Sequence, residues 1–156
     1  MLEQSVESEW VRNGWIIATK LLARIEPEAV PCVSTEPALV WDDKFVLYYA
    51  LDLSPDRRRE FWIMTGEFPP AMVDASGTVD ERDAVRLFGR LFQREGYLIK
   101  TGKLSELSLP DFTLGQYQND PKFGEFLEGI GRYLENLADT FPWEQYVING
   151  KVFSCG

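Results

Sequence analysis

No histidine occurs in the 156 residues of this chain, and that absence excludes more chemistry than any motif present suggests. Histidine is the side chain whose unperturbed pKa lies in the physiological range, and it is the commonest metal ligand and general base. Without it there is no Ser-His-Asp or Cys-His catalysis, no histidine zinc site and no phosphohistidine relay. Cysteine is nearly as scarce. Cys32 and Cys155 are the two present, far apart and matching no CxxC spacing. Two idle thiols in a reducing cytosol are the expected state, with a pair tying down the C-terminus as the alternative. No apolar run approaches the roughly 18 residues of a membrane span; the best, Trp15 to Ala23, is broken by Lys20. The first nine residues are acidic where a secretory signal is basic, so a cytoplasmic protein is expected. An excess of basic residues is missing as well: 16 Lys and Arg face 25 Asp and Glu, a net charge of -9. Nucleic acid and anionic membranes both call for a positive footprint, so neither is expected as a partner.

What is present is aromatic and apolar. Ten Phe, six Tyr and five Trp, in a chain 45% hydrophobic, supply a substantial core and fit one globular domain over residues 1–156. Three segments have helical periodicity. The first runs from about Ser5 to Ile25 and is stopped by Pro27 and Pro31. The second opens at Thr78-Val79-Asp80-Glu81, a capping-box pattern, presents Ala84, Val85, Leu87, Phe88, Leu91 and Phe92, and has Gly96 as its expected stop. The third takes Asp120 as N-cap and Pro121 in its first turn. Its stripe of Phe123, Phe126, Leu127, Ile130, Tyr133, Leu134, Leu137 and Phe141 ends at Pro142. Lys44–Leu53 and Glu60–Thr65 read as neighbouring antiparallel strands joined through Ser54-Pro55-Asp56. Tyr146 to Phe153, with Asn149-Gly150 at its centre, carries a hairpin signal. Residues 104–118 show no period. These elements predict an α+β fold, an antiparallel sheet of about four to five strands covered by two to three helices.

Two motif-like stretches carry no chemistry. Gly96 and Gly102-Lys103 enclose five residues where a phosphate-binding loop has four, and Leu104 stands where that loop needs Ser or Thr. Lys100-Thr101-Gly102 lacks the Ser-x-x-Lys of the serine enzymes that share it. The acid–base groups that remain are carboxylates. Asp42, Asp43, Asp52, Asp56, Glu67 and Asp74 all fall near strand ends or loops, without a spacing that specifies a catalytic or metal-binding pair. No catalytic residue, metal or cofactor is therefore assigned.

Charge is unevenly spread. Residues 1–56 hold ten acids and four bases, residues 57–103 seven and nine, residues 104–156 eight and three. Within the basic middle, Arg82, Arg86, Arg90 and Arg94 recur every four residues and line one helical stripe. They suit an acidic partner or phosphates, but with acidic flanks in the same chain intramolecular pairing is the favoured reading. Glu125, Glu128, Glu135 and Asp139 fall on the outer face of the third helix, either solvated or a docking surface for a basic protein. Trp10, Trp15, Phe88, Phe92 and Phe126 read as core. Trp41, beside Asp42-Asp43, and Trp143, after Pro142, read as exposed and suited to a binding hot spot, with a lid over the core as the alternative.

Phe61-Trp62-Ile63-Met64-Thr65-Gly66-Glu67-Phe68-Pro69-Pro70, followed by Arg82-Asp83-Ala84-Val85-Arg86-Leu87-Phe88, resembles an uncharacterised family of small bacterial domains over about residues 60–93. In that family an aromatic strand runs into Gly-Asp/Glu-x-Pro, and a helix with an Arg-Asp-Ala-like opening follows. Pro70 departs from the polar residue expected there. The resemblance implies a small bacterial cytoplasmic α+β domain and no catalytic role. Elimination and charge then favour a non-enzymatic protein that binds a basic protein partner, most concretely an immunity or inhibitor protein neutralising a toxin or effector. The alternatives are a small carboxylate-dependent hydrolase or magnesium enzyme using Asp42, Asp43, Glu67 and Asp74, and a self-assembling homo-oligomer whose acidic helix meets the Arg82–Arg94 stripe of a neighbour.

Overall fold

The computed structural model describes residues 2–56, 58–145 and 150–151. The order of elements is α1 (Leu2–Ile25), β1 (Pro31–Val33), β2 (Leu39–Trp41), β3 (Phe45–Asp52), β4 (Arg59–Gly66), β5 (Ala71–Asp74), α2 (Glu81–Lys100), α3 (Asp111–Leu114) and α4 (Pro121–Thr140). Single 3-10 turns lie at Leu104–Glu106, Gly115–Asn119 and Trp143–Gln145. The fold is α+β, with a five-stranded antiparallel sheet. The hairpin expected at Tyr146–Phe153 lies outside the described residues apart from Gly150 and Lys151. The described chain falls into two compact units, one running to Glu81 and joined by Gly150 and Lys151, the other beginning at Arg82.

In the first unit β3 is the organising strand. Its long partner is β4, in a register that sets Tyr49 opposite Trp62 and Phe45 opposite Gly66. On its other edge β1 covers the end near Asp52 and β2 the end near Phe45. Ser34 N donates to Tyr49 O at 3.0 Å and Ala38 N to Leu47 O at 2.8 Å. β1 and β2 are therefore one edge strand interrupted at 35–37, where Pro37 has no N–H to give the ladder. That interruption defeats a periodicity search for β1 and β2, and β5 is too short to have a period, which is why all three escape the sequence reading.

The face of β3 carrying Val46, Tyr48 and Ala50 meets Phe61 and Ile63 of β4, and Ala18, Leu21 and Leu22 of α1 pack on it. Trp10, Trp15, Ile25 and Met72 close the margins of that core. α1 is held at its middle by two polar contacts: Trp15 Nε1 donates to Val33 O at 2.9 Å, and the Tyr48 hydroxyl donates to Val11 O. Burial pushes the Tyr48 phenol well above its ordinary value. Thr78 does not make the expected capping box. Its hydroxyl donates to Ala75 O and accepts from Trp62 Nε1, so it anchors the buried Trp62 instead. Cys32 is disulfide-bonded, which corrects the expectation of idle thiols; Cys155 lies outside the described residues.

The second unit is built on α2 and α4, which run antiparallel. Gly96 does not end α2; the helix continues to Lys100. A Cβ on Gly96 would lie 2.5 Å from Gly124 O and 2.7 Å from Glu128 N, and one on Gly131 would meet Gly89 O at 2.5 Å. Two glycines seven residues apart on each helix thus let the backbones touch. Each costs about 1 kcal/mol of helix propensity relative to alanine, which the close approach offsets. Asp120 caps α4 by accepting from Lys122 N at 3.0 Å, with Pro121 in the first turn.

Candidate protein-binding corner and the paired helices

The residues that gather at one place on the surface are those of the β2–β3 turn and the exit of β4. Lys44 N donates to Trp41 O at 3.0 Å, closing a turn in which Asp42 has a φ of 50°. Aspartate tolerates that left-handed region better than most residues. Beside it Gly66, at a φ of 135°, releases the chain from β4, and Glu67 N donates to Lys44 O at 3.0 Å. Glu67 is thereby returned to the turn it follows by more than twenty residues.

Two carboxylates share one ammonium there, with Asp42 next in the turn. Lys44 Nζ lies 3.6 Å from Glu67 and 3.9 Å from Asp43, whose side chains are 55% and 78% exposed. Pairs that exposed contribute little, so the corner keeps a net negative charge. A row of rings runs under it: Trp41 on Phe45 with centroids 6.4 Å apart, and Phe45 on Phe68 at 6.2 Å. Phe45 is fully buried while Trp41 is half-buried, so the row roots the corner in the core. Carboxylates beside an indole flank suit a guanidinium or ammonium: the acids accept charge-assisted hydrogen bonds and the ring offers a π face.

Asp74 is not part of this corner. It pairs with Phe61 at the far end of β4 from Gly66, about 17 Å away along the strand. Its carboxyl accepts from Ser76 N at 2.7 Å, and the Ser76 hydroxyl first, then that backbone bond, draw it below the ordinary carboxylate range. Asp42, Asp43 and Glu67 therefore do not converge with Asp74 on one cleft. Among the described residues no group of three or more Asp, Glu or Cys is placed to hold a metal ion.

Asp52 is a buried anchor. Its Oδ1 accepts from Ser54 Oγ, Ser54 N and Val30 N, and its Oδ2 receives Arg59, which also reaches Glu26 at 2.9 Å. These bonds, the Ser54 hydroxyl first, hold Asp52 far below the usual carboxylate range, against the opposing effect of burial. Arg59 also lies over the Phe61 ring, 5.5 Å from its centroid. Apart from Ser54 the cluster is non-local, and no spacing in the sequence announces the contacts of Val30, Arg59 and Glu26. The same is true of Glu60, which receives Lys151 at 2.7 Å and the Tyr49 hydroxyl.

On the second unit the charges answer one another. Arg86 meets Asp139 at 3.0 Å, Arg90 meets Glu135 at 3.3 Å, and Lys100 meets Glu128 at 2.8 Å. Arg82 donates to Ala138 O, and Arg94 to Glu95, Ser108 and Glu106 O. Arg86, Arg90 and Lys100 of α2 and the acids Asp139, Glu135 and Glu128 of α4 are thus two sides of one ladder, which Arg82 joins through a carbonyl and Arg94 does not. Those three acids do not form the outward docking face the helical wheel suggested; Glu125 alone of the four remains outside the ladder. Trp143 is also not exposed. It is 2% accessible, its Nε1 donates to Leu137 O, and Phe141 meets it edge-on at 5.0 Å, so it plugs the end of α4. Phe126, expected in the core, is 52% exposed.

A buried acid missed by the sequence reading completes this unit. Glu95 is fully buried in α2 and accepts the backbone N–H groups of Ser108 and Leu109. It thereby ties the aperiodic stretch after α2 to the helix.

Residues 4–109 match the family model described as Domain of unknown function (DUF4826). The chain belongs to that family. The match extends the likeness seen at residues 60–93 over α1, the whole sheet and all of α2. No curated protein and no solved structure matches the chain. Trp41, Asp42, Asp43, Lys44 and Glu67 all lie in the stretch shared with the DUF4826 family, as do the four arginines of α2. Glu125, Glu128, Glu135, Asp139 and Trp143 lie beyond it. No helix among the described residues is long and apolar enough to cross a membrane.

Proposed function

We propose that this chain works by binding a basic protein, and that the corner of Trp41, Asp42, Asp43 and Glu67 is what it presents. One observation carries the reading. Of the acidic and aromatic residues singled out in the sequence, these four are brought together on one turn and the strand exit beside it, with Lys44 shared by Asp43 and Glu67 and a ring row tying them to the core. The acids of α4 are mostly engaged by α2, which leaves the corner as the better acidic surface. A net charge of -9 steers a basic partner toward the chain, and the exposed carboxylates orient it. The most concrete form is an immunity or inhibitor protein that covers a basic toxin or effector.

The test is capture from the native host at low salt, by the tagged chain and by an Asp43→Lys/Glu67→Lys variant in parallel. The reading holds where a single stoichiometric basic protein is retained by the former, lost by the latter and released by moderate salt. Equal capture by both removes the corner, and no capture by either removes the binding reading. The proposal places the encounter in the cytoplasm, and Cys32 supplies the check. Its disulfide is reduced in a reducing cytosol, so Cys32 found bonded when thiols are alkylated inside host cells overturns that placement.

A further inference from the structure

Three glycines punctuate α4 besides its caps, and two of them, Gly124 and Gly131, are explained by the backbone of α2. The third is not. Among the described residues a Cβ on Gly129 would meet nothing nearer than Arg132 Nη2 at 4.0 Å, so none of them requires glycine there. Glycine is the poorest helix former after proline, and this one sits at the centre of the exposed face of α4.

At about 100° per residue, Gly129 is flanked on one side by Phe126 and Tyr133 and on the other by Glu125 and Arg132. Phe126 and Tyr133 are 52% and 42% exposed, and Glu125 and Arg132 are exposed as well. The aromatic flank is extended by Phe123, which lies 5.9 Å from Phe126 and stacks on the half-exposed Tyr117 at 5.0 Å. We propose that a second copy of this chain docks here, α4 against α4, antiparallel about a two-fold axis at Gly129.

The argument is one of symmetry. A two-fold axis perpendicular to two antiparallel helices reverses position along the helix but keeps each flank on its own side. Aromatics therefore meet aromatics, and charges meet charges. With about 1.5 Å of rise per residue, Glu125 lies about 6 Å before Gly129 and Arg132 about 4.5 Å after it. Glu125 of one copy then faces Arg132 of the other, twice. By the same offsets Phe126 faces Tyr133 of the other copy, twice. At the centre glycine meets glycine, the device that α2 and α4 already use within the chain. Acid before and base after, each with an aromatic neighbour, is the arrangement an antiparallel self-pairing needs. In parallel alignment the two-fold axis exchanges the flanks and sets the charges of each copy against the aromatics of the other. This surface is separate from the acidic corner and does not depend on it.

The test is the mass in solution of the full chain, by sedimentation equilibrium from micromolar to several hundred micromolar concentration. The expected species is twice the 17.9 kDa chain. Gly129→Leu removes it, and because leucine favours the helix and the position is open, circular dichroism should show no loss of structure. Glu125→Arg and Arg132→Glu each weaken association about tenfold or more through paired like charges, and the double swap restores it. A monomer at every concentration overturns the proposal. So does a dimer indifferent to Gly129→Leu, or charge reversals that the swap does not rescue.

Discussion

The β2–β3 corner and the α2–α4 ladder are both concentrations of charge, yet they are opposite in kind. In the ladder each acid of Glu128, Glu135 and Asp139 has its own cation, and the helices beneath are pressed backbone to backbone. In the corner Asp43 and Glu67 share one lysine with Asp42 beside them, and the support beneath is a row of rings. Neutralised charge spaced along close-packed helices acts as register, fixing which residues face which. Unbalanced charge on a tight turn adds nothing to register and leaves a field for something outside the chain. Sign and periodicity alone do not separate the two cases; the position of the counter-charge does.

The largest expected effect that sharpens this contrast is steric. Gly131→Leu should destabilise the chain by about 3 kcal/mol or more, since its side chain must displace the α2 backbone at Gly89 rather than a flexible neighbour. The denaturant midpoint read by far-UV circular dichroism measures it. Next comes Glu95→Ala, which leaves the Ser108 and Leu109 N–H groups buried and unmatched, at about 2 kcal/mol by the same measurement. Acid should then report on the buried anchor at Asp52. Asp52 is drawn far down in the folded state, so its contribution is complete above the ordinary carboxylate range and fades as pH falls toward its folded value. Stability measured from about pH 5 to pH 2 should therefore drop less steeply in Asp52→Asn than in the native chain.

Smaller is the ladder itself. Arg90→Glu should cost about 0.5–1 kcal/mol, and Glu135→Arg added to it should return most of that, as exposed ion pairs do. An Arg90→Glu chain as stable as the native one would mean that the glycines, and not the charges, set the register. Smallest of all, Asp43→Asn with Glu67→Gln should shift stability by no more than about 0.5 kcal/mol while removing partner capture. A large loss of stability would make the corner part of the fold's support.

How far the sequence anticipates the molecule follows from the range of each interaction. The three long helices and the β3–β4 pair are legible because their signals are local: apolar periodicity, Asp120-Pro121 at a start, Pro27 and Pro142 at ends. β1, β2 and β5 are too short to have a period. Gly96 misleads because a glycine that ends a helix and one that lets another helix approach look alike in one dimension. Trp143 misleads in the same way, since a tryptophan after a proline break projects into water unless the chain turns back onto Leu137. At the corner, Trp41 and Asp42-Asp43 are adjacent in sequence and could be grouped by eye. Glu67 joins them through the β3–β4 register alone, and Arg59 reaches Asp52 and Glu26 through contacts no local pattern encodes.

The placement of the tryptophans has an optical consequence. Trp10, Trp15, Trp41 and Trp62 all belong to the unit built on the sheet, while Trp143 alone belongs to the unit built on α2 and α4. Trp143 sits in a dry pocket at the end of α4, where its emission is blue-shifted until that end opens. A chain carrying Trp143→Phe emits from the sheet unit alone, and one keeping only Trp143 emits from the helical unit alone. Two spectra recorded through the same denaturation would thus follow the two units as separate colours of one experiment, without an added dye.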